Sequence, residues 1–412
     1  MACVALLIAT VVKFTFAASD SDAFEAFVVQ YGRDYVPGST TYFERFRLFQ
    51  SRAEEVRRLN SNPKRRWTAG TGPLADYTEE ELRDLRGWRG AATAEAPSEA
   101  AALVQVNNLP EQFLNWTTLS SLQRVFNQGG CGSCWAVTSA VMLAAHAEIY
   151  RSPQRSFSVQ ELIDCVPNPN ACGGTGGCSG ATVELAMNYA MHLGLREESQ
   201  NPYRSRTGKC HRLQLLSVAA EDHGNEDLGD EALDMVNQTA AQMYEDLAAL
   251  KHLHEHKDFS SVGARVAARD SLGLQSGLRG WQRLPLNRYE PLLRAVYEHG
   301  PVGVSVAAGT WHLYSSGVFD YCDQDAVIDH AVTLIGFGQE QRFSEKFWLI
   351  QNSWGQHWGE GGRIRLLRED DEKRCGWDRQ AQKGTACKGD PTRVRVCGMC
   401  GILYDSVVPH FA

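Results

Sequence analysis

The chain has no surplus of basic residues, no membrane-length apolar run beyond its N-terminus, no internal repeat and no second Cys-x-x-Cys pair at zinc-finger spacing. Each absence removes a class of protein. With 41 Lys and Arg against 49 Asp and Glu, the net charge of -8 disfavours a nucleic-acid partner, because phosphate binding needs a basic surface. Without a long apolar run there is no stable membrane insertion to expect. Without a repeat the chain is not a solenoid, and without a second Cys-x-x-Cys at finger spacing zinc has no ligand set. Disorder is also poorly represented, since 43% of the residues are apolar and ten are Trp.

What is present is cysteine, twelve in 412 residues, a usage that points to an oxidising compartment and mostly paired thiols. The N-terminus agrees. "MACVALLIATVVKFTFAA", residues 1–18, carries an apolar run followed by small residues suited to cleavage, although no Lys or Arg opens it and Lys13 interrupts it. We read it as a signal peptide. Two acceptor triplets, at Asn115 and Asn237, fit a glycosylating route.

Three textures follow. Residues 19 to about 90 are charged and helical, with Phe43, Phe46, Phe49, Val56 and Leu59 at helical spacing. Residues 91–108, rich in Ala and Glu, read as a linker. Glycine, cysteine and tryptophan dominate after Pro110. A polar segment at about 211–275 with a predicted helix intervenes, and from Trp281 short apolar runs such as "PVGVSVAA", "HAVTLIGFG" and "KFWLIQ" read as strands.

The chemistry centres on "NQGGCGSCWA". Cys134 opens a stretch to Tyr150 without Gly or Pro, which predicts a buried helix with Cys134 in its first turn. A helix N-terminus favours a thiolate, the form in which sulfur attacks a carbonyl. Gly129, Gly130 and Gly132 permit close backbone approach, and Gln128 offers an amide to a developing oxyanion. A thioredoxin-like redox pair is disfavoured, since that motif follows a strand in a βαβ unit.

This segment resembles the nucleophile segment of the papain-like cysteine peptidases, the cathepsin family. "IDHAVTLIGFG" and "FWLIQNSWGQHWGEGG" resemble the family's histidine and asparagine segments, in the same order. The resemblance implies an α+β fold of a helical and a β-barrel subdomain with a cleft between, no cofactor, peptide substrates and a monomer. It assigns Cys134 as nucleophile, His330 as its proton acceptor and later donor, and Asn352 as the group orienting the imidazole. Trp354 would shield the His330–Asn352 contact, and Gln128 with the Cys134 N–H would form the oxyanion hole. Gly180, Val183, Ser305, Asp329 and Asp405 join Trp354 as substrate-binding residues. Val183 and Ser305 would wall the pocket for the residue before the scissile one. Asp405 would form its acidic floor, adding tolerance for Arg or Lys to a preference for Leu or Phe.

The resemblance also implies the pairs Cys131–Cys178, Cys165–Cys210 and Cys322–Cys400. It leaves Cys134 free, and Cys172, Cys375, Cys387 and Cys397 without an assigned connectivity. Residues 20–90 resemble the family's inhibitory propeptide. Arg45, Phe49, Val56 and Asn60 keep part of its helix signature, with Thr41 and Arg52 departing from it, and Gly70, Leu74 and Asp76 keep part of a second motif in which Gly72 replaces Asn. The division expected is therefore a signal peptide at 1–18, propeptide and linker at 19–105 and a peptidase domain at 106–412. The spacing from Cys134 to His330 exceeds the roughly 130–150 residues usual in the family, and the 211–275 insertion accounts for the excess. The insertion reads as a surface excursion, a processed segment, a partner-binding element or a block on the cleft that would make the enzyme an exopeptidase. A non-catalytic homologue, or a propeptide released as an inhibitor, are the other readings. His252, His254 and His256 read as a solvated helical end. The expected product is a secretory zymogen of an endopeptidase, vacuolar, lysosomal or extracellular.

Overall fold

The computed structural model describes residues 20–87, 109–150, 155–210, 277–340 and 344–411. The signal segment, the linker with its cleavage region, Asn237, the three clustered histidines and the 211–275 insertion lie outside these residues.

The N-terminal unit comprises α1 (Asp20–Gln30), α2 (Thr40–Asn60), β1 (Trp67–Ala69) and α3 (Glu79–Asp84). Ser39 caps α2, its hydroxyl accepting the Tyr42 N–H, and Thr78 with Glu81 forms a reciprocal capping box on α3. Phe24, Phe27, Phe49, Ala53 and Ala75 form a small core. Around it stand ion pairs. Asp76, fully buried, accepts from Arg33 (Nε 2.8 Å, Nη2 2.9 Å) and from the Tyr35 hydroxyl at 2.6 Å. Arg45 grips Glu81 through both nitrogens, at 2.5 and 2.7 Å, and Arg52 meets Glu79. Asn60 exchanges two hydrogen bonds of 2.9 Å with the Ala69 backbone. The partly kept motif residues are thus the ones that fasten α2 to the segment after it.

The main body has two halves. The helical half is α4 (Cys134–Tyr150), α5 (Val159–Cys165) and α6 (Val183–Leu193), packed around one apolar cluster. α4 is buried on nearly every side, as a helix apolar all round should be. The β half contains β2 (Leu278–Arg283), α7 (Tyr289–Glu298), β3 (Val302–Val306), β4 (Tyr314–Phe319), β5 (His330–Gln339), β6 (Lys346–Gln351), β7 (Arg363–Leu367) and β10 (Asp405–Phe411). β8 (Cys375–Asp378) and β9 (Val394–Cys397) form a separate hairpin. The large sheet runs β1-β4-β7-β6-β5-β3-β10-β2. Its edge strand β1 belongs to the N-terminal unit, so that unit docks partly by adding a strand, Trp67 opposite Gly317.

Among the described residues there are five disulfides, Cys131–Cys178, Cys165–Cys210, Cys322–Cys400, Cys172–Cys387 and Cys375–Cys397, and Cys134 is the free cysteine.

Candidate active site

α4 presents Cys134 at its first residue, and β5 presents His330 at its first residue. The two line one cleft between the helical and β halves. The loop after β6 supplies Asn352, whose Oδ1 lies 2.8 Å from His330 Nε2. That oxygen also accepts the Ser353 backbone N–H at 2.8 Å. A backbone N–H can only donate, so the facing atom is oxygen and Nε2 must carry the imidazole proton. His330 Nδ1 is then the bare base, and it has no hydrogen-bond partner. Trp354 stacks on the imidazole with ring centroids 5.0 Å apart.

Gln128 is fully buried and held in one orientation. Its Oε1 accepts from the Ser353 hydroxyl, and Ser353 O accepts the Gln128 N–H at 2.9 Å. Its Nε2 therefore faces the cleft, donating to Cys131 O and Leu85 O at 2.8 Å each. Tyr203 braces the same turn, its hydroxyl 2.7 Å from both Gln128 O and the Ser133 hydroxyl. Ser353 and Tyr203 were not singled out in the sequence. Their only signal there is adjacency to Asn352 and the "NPY" turn.

The N-terminal unit reaches into this site. Leu85 O takes an N–H of Gln128, and the Arg86 carbonyl oxygen faces Cys134 Sγ at 3.8 Å. Arg86 Nε meets Asp329 Oδ2 at 2.7 Å. Gly87 is pressed so closely that a Cβ on Gly180 would sit 1.6 Å from Gly87 O, and one on Gly132 2.7 Å from Gly87 Cα. Only glycine fits at those two positions. The thiol is offered an oxygen rather than a carbonyl carbon, so the segment plugs the cleft in an unreactive pose. Arg86 and Gly87 carry this contact, and a sequence shows neither as special.

Burial under the plug sets the electrostatics. Desolvation pushes the Cys134 thiol up to about 11, against the expected lowering by the helix N-terminus. The same cause takes His330 down to about 4. The pair is neutral while the plug is seated.

One expectation is corrected. Val183 and Ser305 wall the cleft pocket, but Asp405 does not line it. Asp405 lies behind Ser305, which donates to it at 2.6 Å, and Arg283 Nε bonds its other oxygen at 2.7 Å. Glu184 stands 3.5 Å from the same guanidinium. A desolvated carboxylate needs a cation, and Arg283 of β2 supplies it from within the protein. β2 directly follows the insertion, so its pairing with β10 was not legible.

A Cys–His–Asn constellation in a cleft between a helical and a β half, plugged by its own N-terminal unit, defines the class. The model of the papain family cysteine proteases matches residues 109–248 and 251–385, and that of the cathepsin propeptide inhibitor domain matches 24–82. The chain belongs to the papain family cysteine proteases and carries the inhibitory propeptide. Among its relatives, a senescence-specific cysteine protease of Arabidopsis thaliana is 26% identical over 81% of each chain. A cathepsin L-like proteinase of Phaedon cochleariae is 25% identical over 89% of this chain and 94% of its own. The solved digestive procathepsin L 3 of Tenebrio molitor larval midgut shares the fold, with a TM-score of 0.63 at 19% identity, over 96% of this chain and all of its own.

Proposed function

We propose that this cysteine peptidase is a secretory endopeptidase zymogen, with 1–18 as signal peptide, 19–105 as propeptide and linker and 106–412 as a monomeric peptidase. The observation that carries it is the convergence of Cys134, His330, Asn352 and Gln128 beneath propeptide residues 85–87. Once the plug leaves, water and the helix N-terminus favour the thiolate, and Nδ1 of His330 accepts its proton. The thiolate attacks the scissile carbonyl carbon, and the oxyanion takes the Gln128 N–H that Leu85 O holds in the zymogen. His330 then returns its proton to the leaving amine, the acyl-enzyme forms, and water attacks it with His330 as base.

Acid favours activation. The Cys134–His330 pair holds the same number of protons closed, as thiol and imidazole, and open, as thiolate and imidazolium, so it does not set the pH dependence. His312, buried beside propeptide Arg52, Glu79 and Arg86, is pushed down to about 4 by desolvation, whereas once released from that burial it gains a proton below the ordinary histidine value near 6.5, so acid favours release. The full chain incubated with thiol at pH 4–5 should process itself and cleave peptides, and Cys134→Ala should do neither while keeping its circular dichroism. Self-processing by that variant would refute the assignment.

A further inference from the structure

Cys172 lies in the helical half, before α6, and Cys387 lies in the loop between β8 and β9 of the β half. Their disulfide joins the two sides of the cleft covalently. It is flanked by two backbone bonds, one donated from each side, Gly173 N–H to Ala386 O at 3.1 Å and Lys388 N–H to Asn170 O at 2.7 Å. Gly384 and Thr385 of this loop line the cleft together with Cys134, Val183 and Ser305.

The loop is fixed at each point along its path. Cys375–Cys397 ties the base of its hairpin. Asp378 accepts from Ile328 N at 3.0 Å and from Gln380 N at 2.8 Å. Gly384 lies so close to the strand entering Asp329 and His330 that a Cβ there would stand 1.8 Å from Ile328 O. Inside the loop, Asp390 accepts the Cys387 N–H at 2.8 Å, and Gln382 donates to Cys387 O and Asp390 O at 3.1 and 2.9 Å. A loop held by hydrogen bonds alone could swing aside for a substrate, whereas this one is retained until a covalent bond breaks.

Val183 and Ser305 share this pocket with Cys134 and His330. The family resemblance assigns the pocket to the residue before the scissile one, so it takes the acyl side, the residues N-terminal to the scissile bond. We propose that the Cys172–Cys387 strap narrows the acyl side of the cleft just beyond this pocket, so that substrate residues beyond the second before the scissile bond bind poorly, each needing about 3.3 Å of open groove. The endopeptidase then cuts most readily where few residues precede the scissile bond. This rests on Cys134 as the peptidase nucleophile, and that reading is checked separately by activity on the shortest substrate.

The test uses the activated full chain and a series of N-capped fluorogenic peptides carrying two, three or four residues before the scissile bond, with the two nearest it unchanged. We expect kcat/KM to fall at least tenfold from two residues to four. Constant or rising kcat/KM with length overturns the proposal, with no variant needed. In Cys172→Ser/Cys387→Ser, cleavage of the four-residue peptide should rise severalfold relative to the two-residue peptide. A variant that cleaves the two-residue peptide and keeps the same length discrimination also overturns it. No Cys134-dependent cleavage of any peptide would instead refute the underlying function.

Discussion

The propeptide and the peptidase domain are stabilised in different ways. The propeptide has a small core of its own, five buried residues, seats Leu59, Trp67, Ala69, Leu74, Leu82 and Leu85 in the apolar cluster of the β half, and adds the Arg–carboxylate pairs Arg33–Asp76, Arg45–Glu81 and Arg52–Glu79. The peptidase has two large apolar clusters and five disulfides. Apolar burial and disulfides are indifferent to mild acid, while ion pairs and buried neutral histidines are not. The part that must leave is fastened by ion pairs that acid weakens. The part that must remain has ion pairs too, Arg283–Asp405 among them, but its apolar clusters and disulfides persist in acid.

The largest break in that contrast should come from the propeptide core. Phe24→Ala, at a ring touching Phe27, Tyr42, Phe46 and Phe49, should cost about 3–5 kcal/mol. In the full chain with Cys134→Ala, trypsin should then digest 20–87 while the peptidase domain persists. Equal loss of both regions would mean that they fold as one unit.

Asp76→Ala should come next, at about 3 kcal/mol, because it strands the Arg33 guanidinium and the Tyr35 hydroxyl. Chemical denaturation of the zymogen should show the loss, and the mature enzyme should be unaffected.

Alkylation sharpens the comparison at the interface. With the thiol at about 11, only about one zymogen molecule in ten thousand carries a thiolate at pH 7. Labelling of Cys134 by iodoacetamide should be slow and climb with pH toward 11. After propeptide removal it should be fast near neutrality. Equal rates before and after removal would show that the plug does not control the thiol.

The smallest effects concern pH. Arg45 holds Glu81 below the usual carboxylate range, so this pair stabilises the propeptide above about pH 4.5 and is lost as pH falls through the lowered value. Glu81→Gln should make the release profile shallower at its acid end. His312→Gln should shift the midpoint of release to lower pH by a fraction of a unit, read from the rate of acid processing. An unchanged midpoint would remove His312 from the trigger.

Much of this was legible in order along the chain. The motif around Cys134 announces a nucleophile at a helix start, because glycine, cysteine and an unbroken apolar run have local meaning. Strands β3, β5 and β6 follow from short apolar runs, and α2 from its helical repeat of Phe and Leu. The role of Asn352 rests on its neighbour in the motif, and that too is local. What failed depended on pairing at a distance. Asp405 reads in the sequence as an acidic pocket floor because nothing in its own stretch shows Arg283, which β2 brings beside it across β10. The Cys134 thiol was read as acidic from its helix, but residues 85–87 remove its water and desolvation outweighs the helix end. Four cysteines had no partner by sequence, since Cys172 and Cys387 lie 215 residues apart and only the fold makes them neighbours. The sequence by itself determined the chemistry, because reactive residue types sit in short motifs. Only the tertiary structure decided what surrounds each reactive group, because charge compensation, dehydration and cross-linking are properties of neighbours in space.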